Sequence, residues 1–92
     1  MQAFKKAKEL DPSIVETQVL TGKAYLQAGM CAQAIECLKG AVQTDQGHAQ
    51  AHFNLGRAYL RAGDRGLALE EQHVLRSLDP RLADQLLRMI SP

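Results

Sequence analysis

The sequence predicts an all-α protein, built as a stack of antiparallel helix pairs, and three observations predict it. The chain repeats itself with a period of 34 residues, its apolar residues recur at spacings of three and four, and Gly and Asp-Pro signals separate the periodic stretches. In the 34-residue register Gly22 falls on Gly56, Ala24 on Ala58, Tyr25 on Tyr59, Leu26 on Leu60, Ala28 on Ala62 and Gly29 on Gly63. The same shift pairs Ala34 with Ala68, Glu36 with Glu70 and Asp45 with Asp79. Nine identities in one register exceed the roughly two that ordinary residue usage produces by chance, so the chain is read as copies of one helical hairpin.

Taken in order, the stretch Ile14–Ala28 is the first helix, with Val15, Val19, Leu20, Ala24, Tyr25 and Ala28 on its apolar side. Asp11-Pro12 precedes it, because proline disfavours helix in the residue before it, and Ser13 is a candidate cap. Gly29 stops this helix by accepting the left-handed conformation that closes helix ends, and Gly63 does the same in the second copy. A second helix follows over about Ala32–Thr44, with Ala34, Ile35, Leu38, Ala41 and Val42 apolar. Its twin spans about Arg65–Leu78, with Leu67, Ala68, Leu69, Leu75 and Leu78, and Asp64 placed as N-cap. Asp79-Pro80 closes that unit, and Arg81–Ile90, with Leu82, Leu86, Leu87, Met89 and Ile90, reads as a last helix.

Composition bounds what such a stack can do. Ninety-two residues, 46% apolar and 23% charged, make one small globular domain rather than a multidomain enzyme. Aromatic residues total 4% and Trp is absent, so the core must be Ala and Leu packed at close approach. A net charge of +1 removes the bulk electrostatic case for nucleic acid. No apolar run approaches a membrane span, and the start lacks the apolar stretch of a secretory signal, so a cytoplasmic location is expected, with no membrane partner. Cys31 and Cys37 stand six apart on one helix, about 9 Å along its axis, and are expected as free thiols.

With these residues in view, the chain resembles the tetratricopeptide repeat family. The pattern W-x2-L-G-x2-Y…A-x3-F…P over 34 residues is met by Leu55-Gly56, Tyr59, Ala68 and Pro80 in one unit, and by Gly22, Tyr25 and Ala34 in the other. Gln18 and His52 replace the Trp, Thr21 the Leu, Leu38 and Gln72 the Phe, and Gln46 the first Pro. The resemblance implies a right-handed superhelical stack. Residues 1–12 would supply the second helix of an incomplete repeat (Ala3–Leu10), 13–46 and 47–80 two full repeats, and 81–92 a capping helix whose polar side closes the array.

The resemblance also implies a protein-interaction scaffold that holds a partner peptide or helix in a concave groove lined by the first helix of each unit. Carried over position by position, the groove takes Glu16, Val19, Leu20, Lys23, Leu26 and Gln27, then Gln50, Phe53, Asn54, Arg57, Leu60 and Arg61, then Asp84, Leu87 and Arg88. Two stripes stand out: an apolar ladder of Val19, Phe53 and Leu87, and a basic one of Lys23, Arg57, Arg61 and Arg88. Guanidinium groups pair bidentately with carboxylates, so the expected partner is acidic or carries a free carboxylate. Of the positions with which co-chaperones of this family clamp a terminal carboxylate, only Asn54 and Arg88 match, and Asp84 would repel it, so that clamp is not expected. The alternative is a structural or self-assembly unit, joined through an open end at Phe4, Ala7 and Leu10.

Catalysis and cofactors are not expected. Ser13, Ser77 and Ser91 lack a strained-turn context, no glycine-rich loop could cradle a phosphate, and adjacent Glu70 and Glu71 point to different sides of a helix. His48 and His52, four apart, could face one metal ion, but no third ligand accompanies them. His73 is isolated. Lys5, Lys6 and Lys8 read as a solvated helix face.

Overall fold

The computed structural model describes residues 12–91, which form five helices. They are α1 (Pro12–Gln27), α2 (Cys31–Thr44), α3 (Ala49–Arg61), α4 (Arg65–Leu78) and α5 (Pro80–Ile90). The helix read over Ala3–Leu10, with Lys5, Lys6 and Lys8, lies outside the described residues. Each helix packs on the next, and α1 touches α3 as α3 touches α5. Alternate helices therefore share a layer, with α1, α3 and α5 on one side and α2 and α4 on the other. The body is elongated, 46 × 29 × 17 Å.

The turns inside the two helix pairs are copies of one another. Gly29 and Gly63 adopt φ of 81° and 89°, the left-handed region that glycine enters without a Cβ penalty. The amide of Met30 reaches the Tyr25 carbonyl, and that of Asp64 the Tyr59 carbonyl, each at 2.8 Å. This satisfies carbonyls that a helix end leaves open. Asp64 then caps α4 by accepting from the Leu67 amide. Asp79 has two roles: its amide closes α4 on the Leu75 carbonyl, and its carboxylate accepts from the Arg81 and Leu82 amides to open α5. Ser13 does not precede the first helix, because α1 already begins at Pro12.

Two clusters fill the interior. The first gathers Val15, Val19 and Leu26 from α1, Ala34, Leu38 and Ala41 from α2, and Ala51, Leu55 and Ala58 from α3. The second gathers Ala68, Leu75, Ala83, Leu86 and Ile90. Tyr59 packs against both and joins them. Alanines in the contact seams let the helices approach closely, and the glycines of the repeat go further. A Cβ on Gly22 would lie 2.5 Å from Leu38 Cγ, and one on Gly56 2.5 Å from Leu86 Cδ2.

The buried stripe of α1 differs from the one the sequence predicts. Val15, Val19, Gly22 and Leu26 face inward, while Leu20 is 61% exposed and Ala24 is also exposed. Ala58, the register mate of Ala24, is fully buried. The reason is position in the stack: α3 is flanked by α1 and α5, whereas among the described residues α1 meets its own layer only at α3.

Candidate functional site

The layer of α1, α3 and α5 presents a cavity of about 340 Å³ between α3 and α5, lined by Phe53, Arg57, Gln85, Arg88 and Met89. Helical spacing builds it. Phe53 and Arg57 stand one turn apart on α3 and share a face, and Gln85, Arg88 and Met89 border the buried stripe of Ala83, Leu86 and Ile90 on α5. Phe53 is half-buried against the second core, so one face of its ring is fixed by packing. The Arg57 guanidinium lies over that ring, 5.8 Å from its centroid, a cation–π contact of about 0.5–1 kcal/mol at such a site.

Arg57 is also held from behind. Its Nη1 donates to Asn54 Oδ1 at 3.2 Å, and Asn54 Nδ2 donates to the Gln50 carbonyl at 3.0 Å. Asn54 is 1% exposed, so this amide is a support under the guanidinium rather than a group open to a partner. Among the described residues no carboxylate pairs with Arg57. Arg88, by contrast, donates to Asp84 Oδ2 at 3.0 Å. That pair is exposed, and exposed pairs of this kind contribute little.

The other residues predicted for the groove are distributed differently. Val19 is 4% exposed and belongs to the first core; its place in the stripe of Val15, Gly22 and Leu26 turns it inward and removes it from the apolar ladder. Lys23 is half-buried on α1. Arg61 spends a guanidinium N–H on the Leu26 carbonyl, at 2.7 Å. Leu87 is 39% exposed but lines a second cleft, of about 440 Å³ between α4 and α5, with Gln72, Arg76, Pro80, Arg81, Ala83 and Asp84. Phe53 and Leu87 therefore do not share a cavity. Gln85 and Met89, absent from the sequence reading of the groove, take the place opposite Phe53.

Away from the cavity, His48 at the N-cap of α3 and His52 within it are engaged by protein groups. His48 caps the helix, its Nδ1 accepting from the Ala51 amide at 3.1 Å, while Nε2 lies 3.1 Å from Glu16 Oε2. His52, buried between the helices, places Nδ1 2.6 Å from Glu71 Oε1 and Nε2 2.8 Å from the Gln46 carbonyl. Burial raises the Tyr59 hydroxyl above its ordinary pKa, and the nearby charges of Glu71, Asp64 and Glu70 push the same way. Cys31 and Cys37 are free thiols. Among the described residues no cluster of three or more His, Cys, Asp and Glu could hold a metal ion, and no helix is long and apolar enough to cross a membrane.

Comparison with known proteins agrees with this architecture. A family model described as TPR repeat matches residues 22–63, the segment from the first contact glycine through the second left-handed turn. No curated protein matches the sequence. TPR repeats are typically non-catalytic and generally act as protein-interaction modules. Residues 22–63 are thus matched as a tetratricopeptide repeat, and the described residues fold as five packed helices consistent with the helix-pair stack of that family.

Proposed function

We propose that the cavity between α3 and α5 receives a partner peptide or helix that carries an apolar side chain next to an acidic residue or a free carboxylate. The observation that carries this reading is the juxtaposition of Phe53, Met89, Arg57 and Arg88 around one opening. Phe53 and Met89 offer apolar walls. Arg57, oriented by Asn54 and without a carboxylate of its own among the described residues, offers a fixed fork of donors to an incoming carboxylate. Arg88 adds a second guanidinium once its exposed bond to Asp84 is exchanged. Lys23, further along the layer, extends the positive surface toward α1. Peptide grooves of this type combine apolar anchors with a few convergent charges.

The test is capture of an acidic peptide library by the wild type and by Arg57→Glu combined with Arg88→Glu. Retained helical circular dichroism with lost capture supports the reading, and unchanged capture removes it. A second reading, a structural or self-assembly unit, is favoured by the exposed Ile14 and Leu20 on α1. The open end at Phe4, Ala7 and Leu10 named for it lies outside the described residues. Light scattering separates the two: a mass that grows with concentration supports assembly, and a constant monomer argues against it.

A further inference from the structure

We infer that the cleft between α4 and α5 is a second docking surface, one that receives a segment of a partner protein carrying two neighbouring carboxylates beside an apolar side chain. The inference starts from a comparison of α4 with α2. In the 34-residue register Leu38 and Val42 of α2 correspond to Gln72 and Arg76 of α4. Leu38 has no exposed surface and Val42 packs against the first core, so both serve the stack. On α4 the same two positions line a cleft of about 440 Å³. Gln72 is only 5% exposed, and its Nε2 donates to the Ala83 carbonyl at 3.3 Å; Arg76 is exposed. Leucine and valine here would remove more apolar surface from water, so packing does not account for an amide and a guanidinium. The opposite wall differs in the same sense, with Arg81 in the place of Gly47.

Charge selects the occupant. The cleft is lined by the guanidinium groups of Arg76 and Arg81 and by one carboxylate, that of Asp84. Asp84 Oδ2 already accepts from Arg88 at 3.0 Å. Asp79, next to Pro80 in sequence, spends Oδ1 on the amides of Arg81 and Leu82, and Glu71 faces His52. Among the described residues no carboxylate pairs with Arg76 or Arg81. Two uncompensated positive charges, one from each helix, call for two negative charges from whatever enters, and guanidinium groups take carboxylates through paired N–H donors. Pro80 and Leu87 supply the apolar part of the wall, which suits a side chain between the two acids. The Gln72 amide has further donor and acceptor capacity for a peptide main chain. A wall of this mixed character, on a chain of net charge +1, fits a protein segment rather than a nucleic acid backbone. The cleft shares no lining residue with the cavity of Phe53 and Arg57, so the inference stands apart from the reading of that cavity.

The test selects binders to the wild-type chain from a phage-displayed random peptide library and sorts them by variant. One group of peptides, with paired Asp or Glu next to an apolar residue, should bind Arg57→Glu as well as the wild type. Arg76→Gln combined with Arg81→Gln should weaken that group by about tenfold or more, the loss of at least one charge-assisted hydrogen bond. If every acidic peptide depends on Arg57 and none on Arg76 and Arg81, the inference is overturned while the cavity keeps its role. A second variant copies the first helix pair into the second, Gln72→Leu with Arg76→Val. It is expected to keep or raise the thermal midpoint and to lose the same group of peptides. A lowered midpoint, or failure to fold, would show that the stack itself requires the two polar residues and would overturn the inference as well.

Discussion

Arg61, near the end of α3, reaches across to α1 and donates from Nη1 to the main-chain carbonyl of Leu26 at 2.7 Å. The acceptor lies in the last turn of α1, where it also accepts from the Gly29 amide at 3.1 Å and where the helix dipole favours a cation. A residue predicted for the groove thus fastens one repeat to the next.

Removing that bond should loosen the stack more than it alters the groove. Arg61→Ala is expected to cost about 1.5 kcal/mol, the low end of the range for a hydrogen bond involving a charged group because Arg61 is exposed, read as a lower urea midpoint. Arg61→Lys should recover part of the loss, since an ammonium can reach the carbonyl but without the planar fork. An unchanged midpoint in Arg61→Ala would show that the bond contributes nothing.

The two contact glycines should respond unequally to alanine. A methyl on Gly22 would strike Leu38 at its branch carbon, Cγ, at 2.5 Å, inside a side chain with no exposed surface. On Gly56 it meets first the Leu86 methyl Cδ2, at 2.5 Å, in a side chain equally without exposed surface, but a terminal methyl is displaced by a smaller movement than a branch carbon. Overpacking costs typically about 1–3 kcal/mol, against a gain of up to about 1 kcal/mol from helix propensity. Gly22→Ala is therefore expected to lower the thermal midpoint more than Gly56→Ala, and the reverse order would contradict this account of the close approach.

Tyr59 offers a spectroscopic probe of the joint between the two cores. Its pKa is raised above 10.0, first by burial and then by Glu71, Asp64 and Glu70. The folded chain thus holds the phenolic proton more tightly than the unfolded chain. Its contribution to stability is full below about pH 10 and is lost as pH climbs through the folded-state value. In a Tyr25→Phe background, where Tyr59 is the remaining tyrosine, ultraviolet titration should show ionisation displaced upward, and adding Glu71→Gln should bring it part of the way back.

What could be read from the sequence was what local chemistry determines. Gly29 and Gly63 announce left-handed turns because other residues pay for that backbone, Asp64 announces a cap because a carboxylate three residues before an amide can bond to it, and Asp79-Pro80 announces a break between helices; that Asp79 also caps α5 is seen only in the structure. The inward turn of Val19 was not legible: Val19 and Leu20 are equally apolar, and only the approach of Leu38 to Gly22 settles which faces the core. In α5 the 34-residue register sets Leu87 beneath Phe53, but burial of Leu86 and Ile90 fixes the rotation of that helix and brings Met89 to the cavity instead. The bonds of His52 to Glu71 and of Arg61 to Leu26 join residues on different helices, and no spacing rule within a helix anticipates them.

Asp79 is the whole of the connection between α4 and α5, and its main-chain and side-chain bonds are spent on both helices at once. The link between α2 and α3 has four residues, Asp45 to His48, and includes Gly47. Of the two links between successive helix pairs, the one between α2 and α3 is the longer. Bending between successive units is therefore expected at that longer, glycine-bearing link rather than at Asp79, whose bonds tie α5 directly to α4.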